Sequence, residues 1–233
     1  KYNTGVDIGE SAYSLPYGKS ILLIDQFENS KTITDKHEAY ADFQKMYEYA
    51  SKKYPDHNII IKVHPETVKA KKRGFLQQYY RKINVSLITE DINLFSIFNE
   101  VEAVFTVSSQ AGFEALIAGK KVYVFGKPFY AGWGLTADNK KVRRRKARLN
   151  LKQLVAAALV IYPRYIDPYT GKLTTVENTL ELIAWLKQKY RRHTKYYHCA
   201  GFKNWQKDYM NNVLSAPGNE VFFYHSPFRA IGD

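Results

Sequence analysis

Three groups of polar residues in this sequence have types and positions suited to chemistry on a phosphorylated ligand. His64 precedes Pro65, which fixes the local backbone, and a His can donate to phosphate or protonate a leaving oxygen. Ser108-Ser109-Gln110 lies one helical turn before Glu114, a pattern in which helix N–H groups and hydroxyls attract phosphate while the carboxylate holds ribose hydroxyls. Asp25 supplies a carboxylate that could act as a nucleophile toward an anomeric carbon or as a general base.

Each group also has a purely structural interpretation. A His after a strand can bond a backbone carbonyl, and Ser before a helix with Glu one turn later is a common N-terminal cap. Asp25 could cap the turn that follows it through the backbone near Glu28. The residue types alone do not choose between these roles and the chemical ones.

The elements that must position these residues alternate between short apolar runs and amphipathic stretches. Five runs have the pattern of strands buried on both faces, namely 20–24, 59–63, 85–88, 103–107 and 121–125. Residues 35–53 and 109–118 have helical spacing. This alternation predicts an α/β domain with a doubly wound parallel sheet. Ligands of such sheets bind beyond the carboxyl ends of the strands, and Asp25, His64 and Ser108 each follow a strand.

A loop rich in glycine and aromatic residues, 126–148, follows the fifth strand. Its glycines would let backbone approach a ligand and its rings, Tyr130 and Trp133, could stack on it, although packing of the loop on its own sheet is the alternative. Helices are expected at 151–161 and 176–190, and another α/β unit begins near 195 with strands 196–200 and 221–224 around a helix at 205–214. The domains expected are a leading segment 1–18, a nucleotide-sugar-binding domain 19–192, and a second α/β unit or return segment 195–233.

The charge balance favours an anionic partner. Lys and Arg number 35 against 22 acidic residues, a net charge of +13, but no zinc-finger, helix-turn-helix or RNA-binding aromatic motif accompanies it. Basic clusters stand at Lys69, Lys71, Lys72, Arg73 and at Arg143, Arg144, Arg145, Lys146, Arg148. Such runs usually form a solvated face, and they would also suit an anionic bilayer surface.

Three further features bear on the kind of protein. No run approaches the roughly 20 apolar residues of a membrane-spanning helix. Cys199 is the single cysteine, which excludes an internal disulfide and suits a reducing cytoplasm. The start at Lys1-Tyr2-Asn3, with neither an initiator Met nor a signal segment, leads us to expect part of a longer protein.

Several stretches together resemble one known family, the capsular-polysaccharide β-Kdo transferases of the KpsC type. They are Ile24-Asp25-Gln26, 62–66 with Lys71-Lys72-Arg73-Gly74, 110–114, the long segment 125–136, and 162–168. The resemblance covers about residues 20–190, and the aromatic-glycine segment is its most specific part.

The resemblance implies the donor half of a GT-B transferase that uses CMP-Kdo and retains configuration. The family's His-Pro and Gln-x-x-x-Glu motifs map onto His64-Pro65 and onto Gln110 with Glu114. Nucleotide binding is therefore expected at Lys62, His64, Pro65, Glu66, Ser108, Ser109, Gln110, Glu114, Tyr130 and Trp133. Asp25 becomes the candidate nucleophile, with His64 as a second catalytic residue.

The resemblance also implies partners and a location. The acceptor is an anionic, phosphatidylglycerol-based lipid at the cytoplasmic face of the inner membrane, contacted through Lys71, Lys72, Arg73, Arg143, Arg144 and Arg145. Neither a metal nor a cofactor is expected, and nucleic acid is not the expected partner. The general acid/base would come from a preceding acceptor domain, and Gly201-Phe202-Lys203-Asn204-Trp205 resembles the opening of a second transferase module.

Two other functions remain open from the sequence. One is another CMP-sugar transferase, such as a sialyltransferase-like enzyme, because CMP recognition would look similar. The other is a non-catalytic basic module that binds membranes or nucleic acid, which salt-sensitive DNA binding without CMP binding would favour.

Overall fold

The computed structural model describes residues 14–28, 30, 33, 35–64, 67, 72–90, 92–192, 196–214 and 219–226. Its contacts divide the chain into two compact units that part between Ala157 and Ala158. The sequence predicts a boundary between 192 and 195, which is one hairpin and one helix further along the chain.

The first unit is built on a six-stranded parallel sheet. Its strands are β1 (Ser20–Ile24), β2 (Asn58–Lys62), β3 (Val85–Ile88), β4 (Ala103–Thr106), β5 (Lys121–Val124) and β6 (Ala137–Asp138). They lie in the order β3-β2-β1-β4-β5-β6, and all five pairings are parallel. The predicted doubly wound parallel sheet is confirmed, and β6 is a strand that the sequence did not indicate.

Helices cover this sheet because its central strands are apolar on both faces. The helices of the first unit are α1 (Lys36–Lys53), α2 (Leu94–Asn99), α3 (Ala111–Ile117) and α4 (Leu151–Ala156), with a 3₁₀ turn at Gln77–Tyr79. A π-helical turn, Ala157–Ile161, begins at the last residue of this unit. Every residue of β1 is buried. The side chains of four α1 residues, Ala39, Phe43, Met46 and Ala50, pack into the hydrophobic core against the sheet.

Local capping sets where α1 begins. The side chain of Asp35 accepts hydrogen bonds from the amides of His37 and Glu38, at 2.8 and 3.1 Å. A carboxylate at this position satisfies amides that have no partner within the helix. Because α1 follows β1 in the chain, it begins near the carboxyl ends of the strands, where a ligand of such a sheet would bind.

The second unit contains a short antiparallel hairpin, β7 (Tyr165–Ile166) and β8 (Leu173–Thr174), followed by α5 (Val176–Arg192). It continues with β9 (Tyr196–Ala200), α6 (Asn204–Leu214) and β10 (Glu220–Tyr224). β9 and β10 pair in parallel, as expected for a strand–helix–strand unit. That this unit opens a second transferase module stays a prediction.

Candidate functional site

The carboxyl ends of β1 and β4 meet at the point where the strand order reverses. In sheets with the order 3-2-1-4-5-6, this reversal opens a crevice in which nucleotides bind. Gln26, which follows β1, is buried, and its side-chain oxygen accepts from the amide and the hydroxyl of Ser108 at 3.2 and 3.3 Å. One buried amide therefore ties the two strand ends together. Gln26 was not among the predicted site residues.

Asp25 lies at this edge, with its side chain only 1% exposed. One carboxylate oxygen accepts from the amides of Gln26 and Leu76, at 2.8 and 3.1 Å. The other accepts from the hydroxyl of Tyr80 at 2.6 Å. Burial raises the pKa of Asp25 to about 6, although these hydrogen bonds act in the opposite direction. The predicted nucleophile thus has both oxygens engaged, and its catalytic role stays a prediction.

Gly74 makes the approach of this loop to Asp25 possible. A Cβ at position 74 would lie 2.3 Å from the Asp25 carboxylate and 3.0 Å from the Tyr80 hydroxyl, closer than side chains tolerate. Gly74 also forms an antiparallel bridge with Phe27. The residue that closes the Lys-Lys-Arg-Gly motif therefore has a steric reason to be glycine.

His64 lies at the same edge, two residues beyond the end of β2. Its ring is half-buried and packs against the ring of Phe27, with centroids 4.8 Å apart. Its carbonyl accepts from the amide of Thr67 at 2.9 Å. The structure thus brings His64 to the edge that Asp25 and Ser108 share, whereas Pro65 and Glu66 lie outside the described residues.

Lys62 is buried at the end of β2, and its ammonium contacts two backbone carbonyls. The Nζ atom donates to the carbonyl oxygen of Glu90 at 2.7 Å and approaches that of Val63 at 3.4 Å. These contacts tie the end of β2 to the segment after β3. The predicted nucleotide contact of Lys62 stays a prediction.

The segment after β4 enters α3 through a turn in which most of the backbone amides have partners within the protein. The amides of Ser109 and Ala111 donate to the hydroxyls of Thr106 and Ser109, at 3.2 and 3.3 Å, and the next three amides donate to carbonyls of the same turn. Gln110 is exposed and its side chain lies 3.5 Å from Glu114. Phosphate binding at the start of α3 stays a prediction.

Tyr130 does not stack on a ligand, and this prediction is wrong. Its side chain is 0% exposed, and its hydroxyl donates to the carbonyl of Ser109 beneath α3. Room for the ring exists because residue 112 is glycine, where a Cβ would lie 2.3 Å from the hydroxyl. The glycine and the aromatic ring serve packing, the alternative that the sequence left open.

Arg145 organises the glycine-rich loop and does not belong to an exposed basic surface. Its guanidinium donates to the carbonyls of Pro128 and Ala131, at 2.5 and 2.6 Å. It also lies over the ring of Trp133, 5.5 Å from the centroid. Trp133 in turn donates through its indole to Phe129 at 2.8 Å. The predicted lipid contact of Arg145 is therefore corrected to a structural one, while Trp133 is partly exposed.

The other basic residues divide between exposed and partnered positions. Arg143 and Arg144 are exposed and border a shallow concavity with Lys127 and Lys141. Lys72 lies 4.7 Å over the ring of Phe27. Arg73 is exposed and reaches Glu28 at 3.7 Å, and Lys71 lies outside the described residues. Of the predicted lipid contacts, Arg143 and Arg144 are exposed and have no ion pair among the described residues.

A cleft of about 460 Å³ opens beside Ser108, between α1 and the ends of β4 and β5. This volume is in the range of small-molecule sites. The lining residues that sequence reasoning missed include Asp35, Glu38, Asp42, Lys127, Phe129 and Lys140. Lys140 pairs with two of the carboxylates, with its ammonium 2.8 Å from Glu38 and 2.5 Å from Asp42. Lys127 is exposed at the rim.

Two structural findings concern metals and membranes. Among the described residues, no group of three or more His, Cys, Asp or Glu side chains is arranged to hold a metal ion. Within the same part of the chain, no helix has both the length and the apolar character needed to cross a bilayer.

Comparison with known proteins identifies relatives over most of the chain. The profile of a family described as capsule polysaccharide biosynthesis protein matches residues 6–165. The capsule polysaccharide modification protein LipA of Neisseria meningitidis serogroup B is 34% identical over 214 residues, which are 89% of this chain and 30% of LipA.

Two solved structures share the fold. The beta Kdo 2,4 transferase of Thermosulfurimonas dismutans KpsC is 40% identical with a TM-score of 0.69, over 78% of this chain and 56% of that one. The beta Kdo 2,7 transferase of the same KpsC is 29% identical with a TM-score of 0.58, over 75% and 55%. This chain therefore spans about a third of LipA and about half of each solved transferase. The predicted Rossmann-like, GT-B-type fold class is confirmed.

Proposed function

This chain belongs to the capsule polysaccharide biosynthesis protein family, and from that membership we propose that it is the donor-binding part of a KpsC-type Kdo transferase. One observation carries the proposal. Asp25, His64 and Ser108, which lie 39 or more residues apart in sequence, converge on one sheet edge at the reversal of strand order. The 40% identity to a beta Kdo 2,4 transferase supports the reaction class.

The proposed donor is CMP-Kdo, bound across this edge. His64 and the hydroxyls of Ser108 and Ser109 would hold the CMP phosphate, because imidazole and hydroxyl groups can donate hydrogen bonds to phosphate. Gln110 and Glu114, one turn apart on α3, would hold the nucleotide's hydroxyls. The positive charge of the chain favours such an anion overall.

The cleft beside Ser108 is the proposed space for the sugar acid. Carboxylates at Glu38 and Asp42 would repel an anionic sugar, and Lys140, which pairs with both, offsets one of their two negative charges. Asp35 is engaged in capping α1. Lys127 at the rim is then the cation placed to meet the carboxylate of Kdo.

Retention of configuration would follow from two inversions through a carboxylate. Asp25 is the proposed nucleophile: its oxygen would attack the anomeric carbon as CMP leaves, and an acceptor hydroxyl would then displace it. Because both oxygens are bonded to the segment 74–80 and to Gln26, attack requires one of these bonds to open. The proposed acceptor is an anionic, phosphatidylglycerol-based lipid, reached at a membrane surface through Arg143 and Arg144.

Transfer by the intact enzyme tests this proposal. The protein is given CMP-Kdo and a phosphatidylglycerol primer carrying Kdo, and the product is analysed by mass spectrometry and NMR. We expect a β-linked Kdo product, loss of transfer in Asp25→Asn, and a Kdo adduct on the peptide that contains Asp25. Transfer from CMP-N-acetylneuraminate in place of CMP-Kdo would reassign the donor, and normal turnover in Asp25→Asn would remove Asp25 as nucleophile.

A further inference from the structure

The Asp25 carboxylate and the Tyr80 hydroxyl form a buried pair, and the proposed reaction assigns a role to Asp25 but none to Tyr80. The hydroxyl donates to Oδ2 at 2.6 Å, across 55 residues of sequence. The amides of Gln26 and Leu76 fix Oδ1. Three donors from two segments therefore hold the carboxylate in one orientation.

The segment that carries Tyr80 is shaped for this contact. Gly74 lies so close to the pair that a Cβ would collide with both the carboxylate and the hydroxyl. The amide of Phe75 donates to the carbonyl of Gln26 at 3.1 Å, which fixes the start of the segment. Phe75 itself is buried against Phe43 of α1, with stacked rings 4.7 Å apart. Tyr80 is thus delivered to Asp25 by a packed segment.

Other ionisable groups on the segments around Asp25 make contacts of their own. Tyr40 of α1 donates to Glu28, which follows β1, and Arg73 of the Gly74 segment pairs with Glu28. On β2, Lys62 directs its ammonium to the carbonyl of Glu90. His64 packs on Phe27 at the neighbouring strand end. Among the described residues, Tyr80 is the titratable side chain that donates a hydrogen bond to the Asp25 carboxylate.

We propose that Tyr80 is a positioning residue, whose hydroxyl orients the Asp25 carboxylate and stabilises its charged form through the hydrogen bond to Oδ2. A phenol that donates to a carboxylate stabilises its charged form, and burial opposes that form. Replacing the hydroxyl by hydrogen leaves Oδ2 buried with one donor fewer, so the neutral acid becomes more favourable. The consequence for catalysis rests on the proposed function, because only an ionised Asp25 can attack an anomeric carbon.

A titration of this chain tests the pair directly. Carbonyl-carbon NMR of protein labelled at the aspartate carboxyl carbon follows each carboxylate with pH, and the spectrum of Asp25→Asn identifies the resonance of Asp25. We expect a midpoint near pH 6 in the parent protein. Tyr80→Phe should raise the midpoint by about one pH unit, a tenfold change in the acid dissociation constant.

Tyr79→Phe is the matched control, because it removes a neighbouring hydroxyl whose ring stacks on Tyr47 and does not contact Asp25. Its Asp25 midpoint should equal that of the parent. If Tyr80→Phe does not fold, 3,5-difluorotyrosine at position 80 is used, and its stronger donation should lower the midpoint. An unmoved midpoint in a folded Tyr80 variant overturns the proposal.

The pH dependence of kcat for Kdo transfer by the intact enzyme gives a second readout, in the acidic limb where the rate falls as pH falls. In Tyr80→Phe the limb of kcat should move to higher pH with the NMR midpoint, while KM for the donor stays within twofold. A limb that stays in place while the midpoint moves would contradict the catalytic part of the proposal. If the midpoint moves but Asp25→Asn still transfers Kdo, the pairing stands and the nucleophile assignment fails.

Discussion

The side-chain oxygen of Gln26 lies 3.2 Å from the amide nitrogen of Ser108, and this contact ties β1 to β4 where the strand order reverses. Gln26 also donates through its own amide to Asp25. A single residue therefore links the carboxylate at the end of β1 with the hydroxyl at the end of β4. The relative placement of two proposed donor contacts depends on it.

Gln26→Ala should remove the contact that joins the ends of β1 and β4. The Ser108 amide would lose its acceptor in a partly buried position, which costs about 1–3 kcal/mol of the free energy of unfolding. CMP affinity should fall as well, because Ser108 is no longer held. Chemical denaturation and calorimetry measure the two effects, with the exposed Gln77→Ala as control. Unchanged stability and unchanged CMP affinity in Gln26→Ala would contradict the linking role.

Tyr130→Phe should separate packing from ligand binding. The change removes a buried hydrogen bond to Ser109, so the free energy of unfolding should fall by about 1 kcal/mol. CMP affinity should stay within twofold, since the ring does not reach solvent. A selective loss of CMP binding without a loss of stability would restore the stacking role that the structure removes.

Charge reversal should have different effects at Arg143 and Arg144 than at Arg145. Arg143→Glu with Arg144→Glu should lower recruitment to vesicles containing phosphatidylglycerol, and added salt should release the parent protein, because surface charge is screened within about 10 Å at 0.1 M. Arg145→Glu should instead lower the melting temperature, since its guanidinium bonds two carbonyls of the loop. Cosedimentation with charged and neutral vesicles measures recruitment. Equal binding to neutral vesicles would refute the electrostatic role of Arg143 and Arg144.

The free energy of unfolding of the domain should depend on pH through the titration of Asp25. Its pKa is about 6 when folded and 3.8 in the reference state, so between these values the folded chain binds a proton that the unfolded chain has released. The contribution of Asp25 to the free energy of unfolding therefore falls as pH rises through this window, by roughly 3 kcal/mol in total.

Asp25→Asn removes that slope, because the amide does not titrate and can still accept from Leu76 and donate to the Tyr80 oxygen. Urea unfolding of both proteins at pH 4.5 and pH 7 measures the difference. The variant should gain stability relative to the parent as pH rises. A difference between the two proteins that does not change with pH would show that Asp25 titrates normally.

The sequence predicted the sheet well because buried parallel strands have a simple signature. Runs such as 20–24 and 103–107 are uninterrupted and apolar, and the structure places strands there with ends shifted by at most one residue. From strand ends alone it followed that Asp25, His64 and Ser108 share an edge. The two-residue β6 has no such signature, since its residues Ala137 and Asp138 are both exposed.

The contacts around the site were not predictable in the same way. Gln26 meets Ser108 across 82 residues and Tyr80 meets Asp25 across 55, and no periodicity in the sequence marks such pairs. Tyr130 shows the opposite difficulty. A glycine that lets a ligand approach and a glycine that makes room for a ring, as Gly112 does, look alike in sequence. Only the position of the ring under α3 separates the two roles.

Calorimetric titration of CMP into this chain tests the central claim, that the edge shared by Asp25, His64 and Ser108 binds a cytidine nucleotide. The parent protein should bind CMP, and His64→Ala should weaken binding by about 1–3 kcal/mol, the range for losing a hydrogen bond to a charged group. His37→Ala, on the exposed face of α1, should bind as the parent does. A folded parent protein that does not bind CMP, or a His64→Ala variant with unchanged affinity, would contradict the account.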